Sequence, residues 1–233
     1  IQLLCDSMSI PHIKFNPSVS SESLIEVIDL GDLHGRRKAL DHSPEKPHRM
    51  GFHMLIYIEE GKGAHFLDFT RRQYVSGSFI FISKNQINAF DLSNRPQGKA
   101  ILFTDDFVNR IQESMEMPVF SPVYLDNNYS PVFRPSKSVQ HSSKNLLSEI
   151  EKEIQHGTPN SLVVMFLFSS LFLIIERERG KALKRVSGKN RNKKVEHFIE
   201  LLENQFTQSR NASEYADQLH ITYKPIKISR KKS

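Results

Sequence analysis

Between Asn211 and Lys224 the chain reads N-A-S-E-Y-A-D-Q-L-H-I-T-Y-K, which fits the first helix and turn of a helix-turn-helix. Asn211 is a helix-capping type, and Glu214 stands three residues on, where a carboxylate reaches back to the N–H of the cap. Tyr215, Ala216 and Leu219 fall on one helical face, and Ala216 is small enough to let a second helix approach. His220 and Ile221 supply a short turn. Thr222 then caps the next helix, the one that in such a motif enters a DNA groove. Thr222, Tyr223, Lys224, Arg230, Lys231 and Lys232 are the candidate DNA-contacting residues. Base readout needs a rigid helix in the major groove, whereas Pro225 falls in the first turn of this one and few residues follow. The expectation is weak DNA binding by the chain as given.

Charge supports a phosphate partner. Of 233 residues, 32 are Lys or Arg and 26 Asp or Glu, a net charge of +6. Residues 180 to 233 hold 13 of the basic and 5 of the acidic residues, so the positive excess is entirely C-terminal. Lys181, Lys184, Arg185, Lys189, Arg191, Lys193 and Lys194 lie just ahead of the motif, where they attract phosphate independently of base sequence.

Other chemistry finds little footing. The lone cysteine, Cys5, excludes an internal disulfide framework and a cysteine zinc cluster, and fits a reducing compartment. No serine stands in a glycine-flanked elbow, and no G-x-x-x-x-G-K-[ST] occurs. Gly61-Lys62-Gly63 reads as a hairpin turn between strands rather than a phosphate cradle. Glu59, Glu60, Asp105 and Asp106 read as solvated carboxylates at strand ends and turns. No catalytic residue, cofactor or metal is expected, and the chain reads as a non-enzyme.

Residues 1 to 12 lack the basic and long apolar stretches of a signal peptide; a cytoplasmic location is expected. The apolar run from Leu162 to Ile175 is too short to span a bilayer and reads as a buried helix.

The elements that must position these residues follow in order. Apolar and β-favouring stretches at Phe52–Glu59, Ala64–Phe69, Gln73–Val75, Phe79–Ile82, Ile87–Leu92 and Lys99–Phe103 predict short strands at regular spacing, hence an antiparallel barrel or sandwich. A short helix is predicted over Asn109–Glu116, and an amphipathic one over Ser138–His156 with Leu146, Leu147, Ile150 and Ile154 on one face. A helix apolar on nearly all sides starts at Asn160 and runs to Glu176. A basic stretch then reads as a linker, and Val195, Phe198, Ile199, Leu202 and Phe206 predict one more amphipathic helix.

In this order the chain resembles the AraC-type family of bacterial transcription regulators. The resemblance rests on P-H-R-M-G-F-H-M-L-I-Y-I-E-E-G-K-G from Pro47, S-G-S-F-I-F-I-S from Ser76 and A-S-E-Y-A-D-Q-L-H-I-T-Y-K from Ala212. It implies an α+β chain: a cupin-like antiparallel β-barrel that senses a small molecule, a helical dimerisation pair, and a partial all-α helix-turn-helix domain. The implied division is 1–135 barrel, 136–179 dimerisation helices, 180–194 basic linker and 195–233 incomplete DNA-binding domain. The tail from Pro225 to Ser233 departs from the family pattern and looks like a chain cut short.

Two further expectations come from the resemblance. A metal-binding cupin has four ligand positions; aligned on His48, the others fall on Met50, Met54 and Asn88, a set unsuited to a hard or borderline divalent ion. His53, Leu55 and Tyr57, or their alternates along the strand, would line the pocket for an unknown effector, the inward face depending on register. A homodimer through Ser138–Ile175 is expected, with a charge at Leu146 or Leu171 dissociating it if that residue faces the partner. Alternatives are a cupin-fold enzyme or isomerase with a basic tail, and a dimerising, effector-binding remnant that does not touch DNA.

Overall fold

The computed structural model describes residues 10–18, 20, 22–32, 43–68, 70–91, 93–115, 130–156, 159–186, 201, 205 and 211–221. Two compact units divide the chain, the first running in its last segment to Ala182 and the second resuming at Leu183. The strands are β1 (His12–Ile13), β2 (Ile25–Asp29), β3 (His48–Met50), β4 (His53–Glu60), β5 (Lys62–Leu67), β6 (Thr70–Val75), β7 (Phe79–Ile82), β8 (Ile87–Phe90), β9 (Gln97–Phe103) and β10 (Val132–Phe133). The helices are α1 (Asp105–Met115), α2 (Lys137–Gln155), α3 (Ser161–Val186) and α4 (Ala212–Gln218).

The expected closed barrel is corrected to two five-stranded sheets. One has the order β1-β3-β8-β5-β6 and the other β10-β7-β4-β9-β2. Their outermost strands do not pair with one another, so neither sheet closes. Pairing is antiparallel except between β1 and β3, which run parallel with His12 opposite Arg49.

The hairpin expected at Gly61 is also corrected. The glycine turns at Gly61 and at Ser76-Gly77-Ser78 are corners where the chain leaves one sheet for the other. Gly61 has φ 108° and Gly77 φ 84°, a backbone region that a side chain strains, which lets the chain bend sharply there. The corners are tied together: Gly61 N–H donates to Ser76 Oγ at 3.0 Å, and Gly77 N–H to the Ile58 carbonyl at 2.7 Å. The true hairpin joins β5 to β6, with Lys62 opposite Val75 and Leu67 opposite Thr70.

The β10–β2 sheet is apolar on both faces, which explains why β7 reads Phe-Ile-Phe-Ile without polar alternation. Met54, Ile56, Ile80, Ile82, Ala100 and Leu102 pack in the core between the sheets. The alternate residues turn to the helices. Phe168 of α3 lies 4.8 Å from Phe103 and 5.3 Å from Phe107, ring centre to ring centre, and Phe172 lies 6.1 Å from Phe81. Phe168 is fully buried, so truncating it to Ala costs about 3–5 kcal/mol. Lys99 of β9 bridges Asp29 at 3.1 Å and Glu151 of α2 at 2.8 Å, fastening that helix over the sheet.

Helix boundaries follow local chemistry. Thr104 Oγ1 accepts from Phe107 N–H at 3.2 Å, so α1 starts at Asp105, earlier than predicted. Asp105 and Asp106 in its first turn suit the positive end of the helix dipole. Asn160 Oδ1 accepts from Leu162 N–H at 3.0 Å and starts α3 as expected. That helix does not stop at Glu176. It continues through the first residues of the predicted linker to Val186, where Ala, Leu, Lys and Arg are all good helix formers.

Leu171 is fully buried in the core face of α3, and Leu146 is half-buried. A charge at Leu171 therefore attacks the core rather than a subunit surface. Among the described side chains, the exposed large apolar residues of α3 are Leu162, Val163, Phe166 and Leu173.

Candidate functional site

Strand register decides which candidate pocket residues face the space between the sheets. His53 stands opposite Phe103, Leu55 opposite Phe81 and Ile101, and Tyr57 opposite Phe79. All three therefore lie on the helix-covered face, and their alternates Met54, Ile56 and Ile58 turn to the sandwich interior. Alternation with period 2 makes this a choice between two complete sets of side chains.

His53 is a fastening there. Its ring lies between Phe103, at 5.3 Å, and Phe81, at 6.2 Å. Nδ1 accepts from Lys84 N–H at 3.2 Å, and Nε2 donates to the Asp105 carboxylate at 2.9 Å. The Lys84 ammonium pairs with the other Asp105 oxygen. Burial pushes the His53 pKa below its ordinary value, against the pull of Asp105. For Asp105, burial pushes upward, but the bonds from Lys84 and His53 outweigh it and hold the carboxyl low. Tyr57 stacks on Phe79 at 4.8 Å, and burial, then the charge of Glu59, raises its phenol pKa.

The sandwich interior holds a different polar group, drawn from three adjacent strands. His48 of β3 stands directly opposite Asn88 of β8. His65 of β5 is opposite Phe90, two residues along β8 from Asn88. All three side chains are buried. His48 Nδ1 donates to the Lys46 carbonyl at 2.8 Å, because a carbonyl only accepts. Asn88 Nδ2 donates to the His48 carbonyl at 3.4 Å.

His65 is 1% exposed, and neither ring nitrogen has a hydrogen-bond partner. Burial first, and His48 second, push its pKa down to about 3, against a smaller upward pull from Asn88. That pull places Asn88 close by, but no bond of good geometry forms. The ring packs 4.9 Å from Phe90, which lies 5.7 Å from Tyr74. His65 is not among the residues that the sequence singles out. Its local pattern, a histidine two residues from Leu67 with Ala64 and Phe66 on the other face, is that of an ordinary strand residue.

Met50 is buried in the core, and Met54 packs against it. Their thioethers, with the Asn88 amide, give the positions aligned on His48 no carboxylate and no second imidazole. Among the described residues, no group of three or more His, Cys, Asp or Glu is placed to hold a metal ion. Cys5 lies outside the described residues.

In the second unit, Asn211 Oδ1 accepts from Ser213 N–H at 3.1 Å and caps α4. Glu214 takes part from the other side, its carboxylate accepting from Asn211 Nδ2 at 3.3 Å. Tyr215, Ala216 and Leu219 are buried, as their common face requires. The helix closes in a Schellman turn: His220 N–H donates to the Asp217 carbonyl at 3.0 Å, and Ile221 N–H to the Ala216 carbonyl at 2.9 Å. His220 occupies the left-handed position at φ 51°, where glycine is usual. Gln218 and Gln205 exchange amide bonds at 3.0 and 3.2 Å. Thr222, Tyr223, Lys224, Arg230, Lys231 and Lys232 lie outside the described residues, as do Lys189, Arg191, Lys193 and Lys194. Among the described residues no helix is long and apolar enough to cross a membrane.

No family model and no curated protein sequence matches the chain. Among solved structures it is similar to apo ToxT from Vibrio cholerae, at 11% identity over 86% of this chain and 72% of the other, with a TM-score of 0.42. A ToxT structure from the same organism, bound to an unsaturated fatty acid, aligns at 12% identity over 85% of this chain and 69% of that one, with a TM-score of 0.37. The AraC-like transcriptional activator CuxR aligns at 12% identity over 74% of this chain and 58% of that one, with a TM-score of 0.30.

Proposed function

We propose that the chain is a cytoplasmic transcription regulator of the AraC type, sensing a small molecule between its two sheets and contacting DNA through the segment that begins with α4. The observation that carries this reading is the capped helix and Schellman turn from Asn211 to Ile221. A short helix with one buried face, closed by a tight turn, is the first half of a helix-turn-helix. Thr222, Tyr223 and Lys224 follow in the sequence and are the proposed base-contacting residues. The basic residues from Lys181 to Lys194, with Arg230, Lys231 and Lys232, supply phosphate attraction.

Dimerisation belongs to the same reading. Leu162, Phe166 and Leu173 are spaced along α3 so as to make one exposed stripe, with Ser170 between them. An apolar stripe at that spacing is the seam of a helix pair, and a second copy of the chain supplies the same stripe.

The test is selection of duplexes from a random pool by the purified chain, followed by binding of the enriched and shuffled sequences across a salt series. A regulator enriches a motif, often with paired half-sites if it is a dimer. Affinity falls as salt rises, steeply if six or more phosphates are contacted, by roughly a thousandfold between 50 and 200 mM. A pool that returns no motif, with salt-sensitive binding equal for all duplexes, is the weak readout expected of this chain, and the absence of any salt-sensitive DNA binding sinks the proposal.

A further inference from the structure

We infer that the interior site formed by His65, Asn88 and His48 takes a neutral molecule that presents a hydroxyl group on an apolar body, such as a phenol or an alcohol. This inference rests on the sensor reading above and names the chemical class of its effector. The starting observation is that both ring nitrogens of His65 lack partners at 1% exposure. Buried polar groups are nearly always hydrogen-bonded, so two orphans on one ring call for a missing partner.

The chemistry of that partner follows from the ring. Burial holds His65 neutral, so one nitrogen carries a proton to donate and the other a lone pair to accept. A hydroxyl complements either nitrogen, because it both donates and accepts. A carboxylate accepts only, and it needs a cationic or multiply donating site to offset desolvation. His65 is not a cation there, and the Nδ1 proton of His48 already goes to the Lys46 carbonyl. The Asn88 amide adds one more neutral polar group on the adjacent strand.

The apolar body follows from the walls. Met50, Leu67, Tyr74 and Phe90 belong to the core cluster between the sheets, and Phe90 and Tyr74 bring aromatic faces to the same side as His65. Such walls favour an aromatic or aliphatic frame.

The experiment uses the full chain with uniformly 15N-labelled histidine and three probes of one shape: phenol, benzene and benzoate. Side-chain nitrogen resonances are followed through each titration at pH 7.5, with His65 assigned from the His65→Phe variant. Phenol should move the His65 nitrogen shifts in a saturable way, and benzoate should not. Benzene should bind on the order of tenfold more weakly than phenol, the worth of one buried hydrogen bond. Asn88→Leu, which leaves His65 in place, provides a second reading should His65→Phe not fold, and should also weaken phenol. Equal effects of phenol and benzene, a preference for benzoate, or unmoved His65 resonances, as when a buried water only fills the site, each overturn the inference. Binding is read without DNA, so failure to enrich a motif leaves this result standing, and loss of phenol binding leaves the DNA test standing.

Discussion

His53 of β4 donates from Nε2 to the Asp105 carboxylate at the start of α1, 2.9 Å away, while its Nδ1 accepts from the Lys84 backbone. One histidine thus joins a strand, the first turn of a helix and the β7–β8 connection. Two phenylalanines hold its ring. The pair looks like the acid–base half of a catalytic triad, but both ring nitrogens are committed to structure, so it serves to anchor α1.

Replacing Asp105 with Ala removes the acceptor of a largely buried ring N–H, together with the partner of Lys84. The expected cost is about 1–2 kcal/mol in urea unfolding, with unchanged m-value. Lys84→Ala should cost under about 1 kcal/mol, because its ammonium is exposed. Equal losses in the two variants would show that the His53 bond contributes nothing.

Stability should fall as the medium is acidified below about pH 6.5. His65 is pushed down to about 3 and His53 is also lowered, whereas both titrate near 6.5 when unfolded. Between those limits the unfolded chain binds protons that the folded chain refuses, so stability is complete above 6.5 and is lost as pH drops. Each histidine contributes at most about 1.4 kcal/mol per pH unit. Urea midpoints at pH 7.5, 6 and 5 check this, and His65→Phe should have a shallower slope. An identical slope in that variant contradicts the assignment.

Phe166→Lys places a charge in the exposed stripe of α3, where Phe166 is 51% exposed. It should leave the fold intact and turn a dimer into a monomer in sedimentation at micromolar concentration. Leu171→Lys, at a fully buried position, should instead unfold the first unit. If the parent chain already sediments as a monomer, the stripe is not a dimer seam.

At the other end of the chain, Asn211→Ala should destabilise the second unit by about 1 kcal/mol through loss of the cap. His220→Gly should stabilise it or leave it unchanged, since glycine takes φ 51° without strain, while His220→Val should destabilise it. Hydrogen exchange of the Asp217–Ile221 amides reads both effects locally. A stabilising His220→Val would mean that the turn is not left-handed at that residue.

The elements themselves were legible in the sequence wherever short-range chemistry decides them. Phe79–Ile82 is predicted residue for residue, because four β-favouring apolar residues between Gly77-Ser78 and Ser83 have no other good conformation. Asn211 marks its helix, because a capping side chain acts on amides two residues away. Tertiary structure alone decided what depends on distant partners. Whether Gly61 makes a hairpin or a corner depends on which strands β4 and β5 find, and that is settled by core packing across both sheets. Likewise, His53 and Met54 are one residue apart, and only register against β7 and β9 sends the first to the helices and the second to the interior. His65 is the clearest case: its neighbours in sequence are those of an ordinary strand residue, while His48, 17 positions earlier, and Asn88, 23 later, meet it only when β3, β8 and β5 pair. Local sequence sets conformation, because its forces act over a few residues. A buried polar site is set by which strands share a sheet, a choice made by the whole core at once.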